Sequence, residues 1–349
     1  METGIIGLPQ VGKTSLFKIL THAHLEGKAG HTPTHVGVAH VPDSRLDKLA
    51  ELFRPRKVIH ATVQYMDVGG LVHDRARDAA FLAQLREVEA LAHVVRVFEN
   101  PGVPHSDGSI DPLRDVGSLE LELMLADLDQ AARRLERIEK DLKKKKDPLL
   151  EHELALLSRC RSAIEAERPL RELEFGAEER KLLSSFMFLS QKPMLYVLNL
   201  GDSEVEEIDT AVERHGLGAL TGKPNTTVTP ICGKIEAELA ELEDAQAAEL
   251  LTAYGLKESG LDRLINATYR LLGLISFFTC GESECRAWTV HRGATAPEAA
   301  GTVHSDFERA FIKAEIVHSD DLLEAGGLAA ARERGRVKLE GREYVVEDG

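Results

Sequence analysis

Hydrophobic positions along the chain follow two periods, one typical of strands and one typical of helices. The predicted strands are short apolar runs, at 4–6, 36–41, 58–68, 93–99, 193–200 and 226–232. Helical spacing is found between them, over 15–20, from about 74 to 90 and over 204–215. Strands that alternate with helices in this way indicate a doubly wound parallel sheet, so the fold class is predicted to be α/β.

A different pattern begins at Leu119. Apolar residues then recur three and four positions apart, at Leu121, Leu125, Leu128, Ala132, Leu135, Ile138 and Leu142. A second stripe follows Asp147-Pro148, at Leu150, Leu154, Leu157, Arg161 and Ile164. The pattern predicts an antiparallel helical hairpin, inserted into the α/β domain, with Lys143 to Lys146 at its tip. From Phe277 onward, short strands and small helices indicate a separate α+β domain.

Composition narrows the function classes. The chain has 349 residues and a formal charge of −15, so any contact with nucleic acid must come from a local basic patch. No apolar run approaches the ~18 residues of a membrane span, which favours a cytoplasmic protein that does not contact membranes. There are four cysteines. Cys280 and Cys285 are separated by GESE, too wide for a CxxC pair, so both are predicted to be structural thiols.

The strongest chemical signal is GLPQVGKTS at residues 7–15, which matches GxxxxGK[ST] without a mismatch. Glycines let backbone N–H groups surround phosphate oxygens, a lysine reaches the β- and γ-phosphates, and a hydroxyl binds Mg²⁺. The loop lies between a predicted strand and a predicted helix, whose N-terminus also favours anions. The residues predicted to bind nucleotide here are Gly7, Leu8, Pro9, Gln10, Val11, Gly12, Lys13, Thr14 and Ser15, with Lys13 also assigned a catalytic role and Thr14 a metal ligand role.

A second nucleotide motif, Asp67-x-x-Gly70, ends the strand predicted at 58–68. An aspartate there can hold Mg²⁺ through water, and the glycine N–H can meet the γ-phosphate. The motif is weak alone and becomes specific behind a P-loop.

Nearly the whole chain resembles the YchF branch of the Obg-like ATPases, within the translation-factor class of P-loop proteins. The stretches that carry the resemblance include GLPQVGKTSLF, DVGGLV, AHVVRVFEN, KPMLYVLN and CRAWTVHRGATAPEAAGTVHSDFERAFIKAE. The last resembles the family's TGS domain, a ubiquitin-like β-grasp module. The resemblance implies a nucleotide-binding domain at 1–115 and 191–275, a coiled-coil insertion at 116–190 and a TGS domain at 276–349. Family members continue for about one more strand, so either the last β-grasp strand is missing or the sequence is truncated.

The resemblance also implies an activity: a slow, Mg²⁺-dependent ATPase that acts as a regulatory switch on the ribosome, in translation or stress responses. His105 matches a family histidine proposed to help hydrolysis, and the alternative is an ordinary surface histidine. Leu71 lies where Ras-type enzymes place the glutamine that orients water, which predicts slow turnover. In the first switch, either Thr32 or Thr34 would sense Mg²⁺, and Thr34 is the predicted metal ligand.

The nucleotide base is left open between adenine and guanine. The guanine-reading NKxD position reads Asn199-Leu200-Gly201-Asp202, so the lysine has become leucine. The family forms an adenine pocket with an apolar residue there and a phenylalanine that matches Phe98. Asp202 and the loop Cys232-Gly233-Lys234 nevertheless resemble guanine-binding elements. Because a site built to pair one base edge rejects the other, the missing lysine favours ATP over GTP.

The partners follow from the same comparison. The protein is predicted to be a monomer that binds the ribosome. The lysines at the tip of the helical hairpin are predicted to contact rRNA, and the TGS domain is a second predicted contact. K⁺ is an additional predicted cofactor. A weaker basic patch comprises Arg332, Arg334, Arg336 and Lys338. The alternatives are a translation-factor-type GTPase and a nucleotide-gated binding protein with negligible turnover.

Overall fold

A computed structural model of the chain describes residues 1–21, 35–68 and 79–349, apart from the side chains of Ala79 and Asp244. The strands are β1 (Glu2–Ile6), β2 (His35–His40), β3 (Val58–Ile59), β4 (Thr62–Asp67), β5 (Ala90–Arg96), β6 (Met194–Asn199), β7 (Thr226–Ile231), β8 (Leu274–Cys280), β9 (Cys285–His291), β10 (Ala314–Ile316) and β11 (Lys338–Glu340). The helices are α1 (Lys13–Thr21), α2 (Ser44–Phe53), α3 (Ala79–Glu87), α4 (Pro112–Leu142), α5 (Pro148–Glu165), α6 (Ala177–Leu183), α7 (Ala211–Arg214), α8 (Gly233–Leu239), α9 (Asp244–Ala253), α10 (Gly260–Leu271), α11 (Ala296–Val303), α12 (Ser305–Arg309), α13 (Ser319–Ala325) and α14 (Leu328–Glu333).

The described residues divide into two compact units. The first comprises Met1–Gly37 and Gln64–Leu264, and the second comprises Val38–Val63 and Ile265–Gly349. Residues 38–63 thus group with the C-terminal part of the chain rather than with their neighbours in sequence. The domain boundaries expected from the sequence stay a prediction. Within the described residues, no helix is long and apolar enough to cross a membrane.

A six-stranded sheet has the order β2-β4-β1-β5-β6-β7, and its strands β1, β5, β6 and β7 lie wholly in the first unit. β1 lies between β4 and β5 and is parallel to both, and β5, β6 and β7 are also mutually parallel. The carboxyl ends of these parallel strands therefore meet at one edge, where ligands bind in open α/β sheets. One face of the sheet packs on Leu85, Leu119 and Leu123, each at most 1% exposed.

Two strand predictions were wrong in detail. Residues 58–68 form two strands, because β3 pairs with β9 whereas β4 pairs with β1, and Ala61 O accepts a hydrogen bond from Val41 N–H between them. The strand predicted at 93–99 begins at Ala90, and α3 ends at Glu87. Alanine favours helices, but here burial against β1 outweighs that preference.

The predicted helical hairpin is formed by α4 and α5, within the first unit. Each helix begins with an aspartate cap followed by proline, at Asp111-Pro112 and Asp147-Pro148, and the two caps accept hydrogen bonds from Arg114 N–H and Leu149 N–H. The helices pack through Ala131, Leu135 and Ile138 of α4 against α5 residues of the same apolar cluster.

On each helix of the hairpin, some residues predicted to be buried are exposed instead. Leu121 and Leu125 are 45% and 48% exposed, because the first turns of α4 bury Leu119 and Leu123 against the sheet instead. On α5, Cys160 is buried and Arg161 is exposed. Both positions follow Leu157 by about one turn, and the charged side chain takes the solvent side.

In the second unit, β3, β9 and β8 form one sheet and β10 and β11 form a two-stranded antiparallel sheet. The β8–β9 hairpin has an antiparallel register from Leu274↔His291 to Cys280↔Cys285. Tyr269, on α10, donates a hydrogen bond from its hydroxyl to Ile275 O (3.1 Å) on β8. A small apolar cluster joins Leu49 of α2 to Leu322 of α13.

Candidate functional site

The loop between β1 and α1 adopts backbone angles that few side chains tolerate. Gly7 has φ +148° and Gly12 has φ +100°, while Gln10 has φ +62°. A Cβ at Gly7 would lie 2.5 Å from Val94 O of β5. The two glycines of the motif are therefore required by geometry, as expected for a loop whose N–H groups surround phosphate oxygens.

Lys13 lies at the start of α1 and is 7% exposed. Its ammonium donates a hydrogen bond to Leu8 O across the loop (2.5 Å). Burial lowers the pKa of Lys13 to about 8, and the Asp67 carboxylate partly opposes that shift. The lysine is thus positioned inside the loop, with a charge that is incompletely solvated and that phosphate oxygens would stabilise.

Thr14, in the first turn of α1, meets Asp67 at the end of β4. The Thr14 hydroxyl donates a hydrogen bond to Asp67 Oδ2 (2.9 Å), although 53 residues separate them. A hydroxyl and a carboxylate are hard oxygen ligands of the kind that Mg²⁺ prefers. These two side chains fit the metal expected at this class of site.

Asn199, at the end of β6, ties the P-loop to a second loop. Its side-chain amide donates to Val11 O (3.0 Å) and accepts from Gly233 N–H (3.0 Å). The residue is 7% exposed, so both hydrogen bonds are shielded from water. The structure therefore brings together three segments predicted from sequence: the P-loop, the Asn199 tetrapeptide and the Cys232-Gly233-Lys234 loop.

The residues predicted to select the base differ in exposure. Leu200 and Cys232 are each 2% exposed and pack in apolar clusters. Asp202 and Lys234 are exposed and form an ion pair with each other. Through this hydrogen bond, Lys234 lowers the pKa of Asp202. The carboxylate that would read guanine in the GTP alternative is thus already bonded to a neighbouring cation.

Phe98 follows β5, and its N–H donates to Asn199 O (3.2 Å). The Arg96 guanidinium lies over the phenyl ring, 4.5 Å from its centroid. Arg96 also donates to Phe98 O (3.1 Å) and to Val103 O (2.8 Å), which fixes the loop after the strand. Arg96 was not predicted as a site residue. A charged residue inside an apolar strand gives no sequence signal that its side chain will pack on a nearby aromatic ring.

His105 lies in a polar cluster with Asp107 and Asp115. Asp107 N–H donates to His105 Nδ1 (3.1 Å), which leaves the ring proton on Nε2, and Nε2 donates to Asp115 Oδ2 (2.9 Å). Oxygen and nitrogen atoms of these three residues lie within 4.8 Å of one another, a spacing that suits a metal ion. Arg114, however, donates to Asp115 (2.8 Å), so a cation already neutralises this carboxylate.

Several predicted site residues lie outside the described residues: Thr32, Thr34, Gly70 and Leu71. Pro9 and Ser15 belong to the described P-loop, where Pro9 is half-buried and Ser15 is exposed.

The chain is similar over its whole length to curated proteins named "Ribosome-binding ATPase YchF". The protein of Bacillus subtilis (strain 168) is 42% identical, over an alignment that covers 100% of this chain and 97% of that protein. The protein of Haemophilus influenzae is 39% identical with the same coverage. The chain belongs to the YchF family.

Two family matches and one solved structure agree with this assignment. Residues 2–148 match a family described as "50S ribosome-binding GTPase", and residues 274–349 match YchF-GTPase_C, described as "Protein of unknown function (DUF933)". The structure of the Schizosaccharomyces pombe YchF GTPase aligns with a TM-score of 0.86 and 29% identity, covering 100% of this chain and 96% of that one. The predicted YchF family and α/β P-loop fold are thereby confirmed. The relatives are named ATPase in some cases and GTPase in another, so their names leave the base open.

Proposed function

We propose that this YchF-family protein is a ribosome-associated, Mg²⁺-dependent nucleoside triphosphatase that prefers ATP and acts as a slow switch in translation or stress response. The hydrogen bond between Thr14 and Asp67 (2.9 Å) carries the proposal, because it joins the P-loop hydroxyl to the aspartate of the second motif. Relatives that match the full chain are named ribosome-binding ATPases. A cytoplasmic monomer is part of the same proposal.

Thr14 and Asp67 would hold the Mg²⁺, and Lys13 would bind the β- and γ-phosphates. When bound, the metal would supply a positive charge against the charge that develops on the phosphoryl oxygens. Thr34 and Gly70 are proposed to complete the site, and K⁺ is proposed as an additional cation. The burial of Lys13 supports its role, because a poorly solvated ammonium gains from phosphate contact.

A preference for adenine is supported by the pairing of Asp202. A carboxylate that reads guanine accepts from the ring N–H groups, whereas Asp202 Oδ2 here accepts from Lys234, which occupies part of its hydrogen-bonding capacity. Leu200 takes the place of the lysine that covers a guanine ring, and its side chain is buried. We propose that Phe98 and Leu200 provide an apolar boundary to the base and that Asp202 does not contact it.

Slow turnover is supported by the contacts of His105. Its Nδ1 accepts from Asp107 N–H and its Nε2 donates to Asp115, so neither nitrogen of this state can accept a proton from water. Hydrolysis through His105 would require the loop to rearrange, for example on the ribosome. The same contacts favour the second candidate, a nucleotide-gated binding protein whose turnover stays negligible with ribosomes and K⁺ present.

A competition titration tests the base preference. A fluorescent nucleotide is bound with Mg²⁺ and then displaced by ATP or by GTP. We expect ATP to displace at least about tenfold better, a difference of about 1.4 kcal/mol. Asp202→Ala should leave this ratio unchanged, and the control Asp209→Ala, on an exposed carboxylate of the same segment, should do the same. A tenfold preference for GTP that Asp202→Ala abolishes would establish a GTPase instead.

Turnover is measured separately as phosphate release, with and without ribosomes and with K⁺ or Na⁺. Slow release that ribosomes accelerate supports the switch. Binding of ATP without release under every condition would favour the nucleotide-gated binding protein.

A further inference from the structure

Cys280 and Cys285 face each other across the β8–β9 hairpin of the second unit. The strand register pairs the two residues directly. Gly281 N–H donates to Glu284 O (3.0 Å), one position closer to the turn. Hydrogen-bonded and non-hydrogen-bonded pairs alternate along antiparallel strands, so the two cysteines occupy a non-hydrogen-bonded pair.

That position suits a covalent link. At a non-hydrogen-bonded pair the Cα atoms lie about 4.5 Å apart and both side chains leave the same face of the sheet. A disulfide requires a Cα separation of about 4.4–6.8 Å. The two side chains are also hydrogen-bonded to each other, and both cysteines are reduced thiols rather than members of a disulfide. The backbone therefore needs little adjustment for a sulfur–sulfur bond to form.

We propose that Cys280 and Cys285 form a reversible intramolecular disulfide, which makes this hairpin a modification site for a disulfide oxidant such as glutathione disulfide. One cysteine thiolate attacks a sulfur of the oxidant, forming a mixed disulfide and releasing one glutathione thiolate. The second cysteine thiolate attacks the protein sulfur of the mixed disulfide and expels the second glutathione. Two protein thiols are oxidised, one glutathione disulfide is reduced, and the two thiol protons pass to the glutathione thiolates.

Proximity distinguishes this pair from the other cysteines. Burial, followed by the hydrogen bond with Cys285, raises the pKa of Cys280 to about 12. Burial likewise raises the pKa of Cys160 to about 11 and that of Cys232 above its ordinary value. Because the thiolate is the nucleophile, we expect attack by Cys280, Cys160 or Cys232 on an oxidant to be slow at neutral pH. Once a mixed disulfide forms, Cys280 and Cys285 each have a partner thiol within reach.

The test uses the full-length protein. Reduced protein is incubated with glutathione disulfide at about pH 8.5, quenched, denatured, alkylated with N-ethylmaleimide and digested with trypsin. Both cysteines fall in one tryptic peptide, residues 271–286, and Glu282 and Glu284 allow a second protease to cut between them. We expect that peptide to escape alkylation and to be lighter by two hydrogen atoms. Its two halves should stay joined after the second cleavage until a reductant is added.

The thiol count supplies a control. Of the four cysteines, we expect two to lose reactivity in the wild type, with Cys160 and Cys232 still alkylated. The variant Cys280→Ser should leave Cys285 either alkylated or carrying a single glutathione. A wild-type peptide with both cysteines alkylated, with a glutathione on each, or linked to another chain would overturn the proposal.

Discussion

The side-chain amide of Asn199 occupies the space that a side chain at Gly12 would need: a Cβ added at Gly12 would lie 2.6 Å from Asn199 Nδ2. The same amide donates to Val11 O and accepts from Gly233 N–H. The second glycine of the P-loop is therefore required both by its φ of +100° and by the close approach of Asn199. One buried side chain thus sets the distance between the P-loop and the loop at Gly233.

Removal of the Asn199 amide should lower both the stability of the protein and its affinity for nucleotide. Asn199→Ala removes two shielded hydrogen bonds and leaves Val11 O and Gly233 N–H without their partner, at a cost of about 1–3 kcal/mol in the free energy of unfolding. We expect nucleotide affinity to fall by at least about tenfold, because the P-loop is no longer held in its phosphate-binding conformation. Urea unfolding and titration with a fluorescent nucleotide measure the two effects.

Asn225→Ala is the matched control for Asn199→Ala. Asn225 also donates a hydrogen bond from its amide to a backbone oxygen, Arg171 O (3.0 Å), at the other end of β6 and β7. This variant should lower the free energy of unfolding without weakening nucleotide binding. If both variants lowered affinity equally, the effect would be one of general stability rather than of P-loop geometry.

The pKa of Lys13 predicts how nucleotide affinity depends on pH. In the ligand-free protein, Lys13 loses its proton as the pH rises through about 8, below the ordinary value of 10.5. Bound phosphates favour the charged form, so binding above this pH requires proton uptake. We therefore expect affinity to be nearly constant up to about pH 7 and to fall by up to about tenfold per pH unit above about pH 8. Titrations between about pH 7 and 10 check this slope.

Lys192→Met is the control that tests whether the pH dependence of affinity belongs to Lys13. Burial also lowers the pKa of Lys192 to about 8, but its ammonium donates to Arg86 O and Val88 O. The affinity slope above pH 8 should persist in this variant. Its disappearance would assign the slope to Lys192.

His105 is predicted to contribute to hydrolysis and to depend on Asp115 for its orientation. His105→Ala should lower the ribosome-stimulated rate of phosphate release by about 100-fold, with nucleotide affinity unchanged. Asp115→Asn removes the charged acceptor of His105 Nε2 and should also change that rate. A second histidine–carboxylate pair, His215 Nε2 with Glu204 Oε1 (2.9 Å), provides the control. His215→Ala should leave the rate unchanged, and an effect of equal size in all three variants would point to a structural role.

Contiguous parts of the site could be predicted from the sequence because their chemistry is local. The P-loop motif specifies its glycines, lysine and hydroxyl within eight residues, and Asp67 follows from a strand end. The role of Asn199 in linking two loops lies beyond that range, since Val11 and Gly233 are brought to it only by the order of the strands. Asp115 was missed because its partner His105 lies ten residues away, across a loop whose conformation the sequence does not specify.

The spacing of Cys280 and Cys285 did not show that the two residues face each other. Four residues between two cysteines do not fit a CxxC motif, but they do fit a hairpin whose flanking residues face each other.

The apolar positions of α4 differ from the predicted heptad pattern for another reason. A helix that touches the sheet at one end and α5 at the other buries different faces along its length, whereas a heptad pattern assumes a single partner.

Four lysines at the tip of the α4–α5 hairpin, the arm tip, are predicted to bind rRNA. Lys143 to Lys146 are all exposed, and Lys144 forms only a solvent-exposed ion pair with Asp141 (3.0 Å). Replacing all four with glutamine should weaken ribosome binding and reduce its dependence on salt by about 0.7–0.9 in the logarithmic slope for each phosphate that the tip no longer neutralises. The control is Arg332→Gln with Arg336→Gln, because these arginines are already paired with Glu315 and Asp321. Cosedimentation with ribosomes at several salt concentrations should show a smaller slope for the arm variant alone. An unchanged slope in the arm variant would exclude the tip as the rRNA-binding surface.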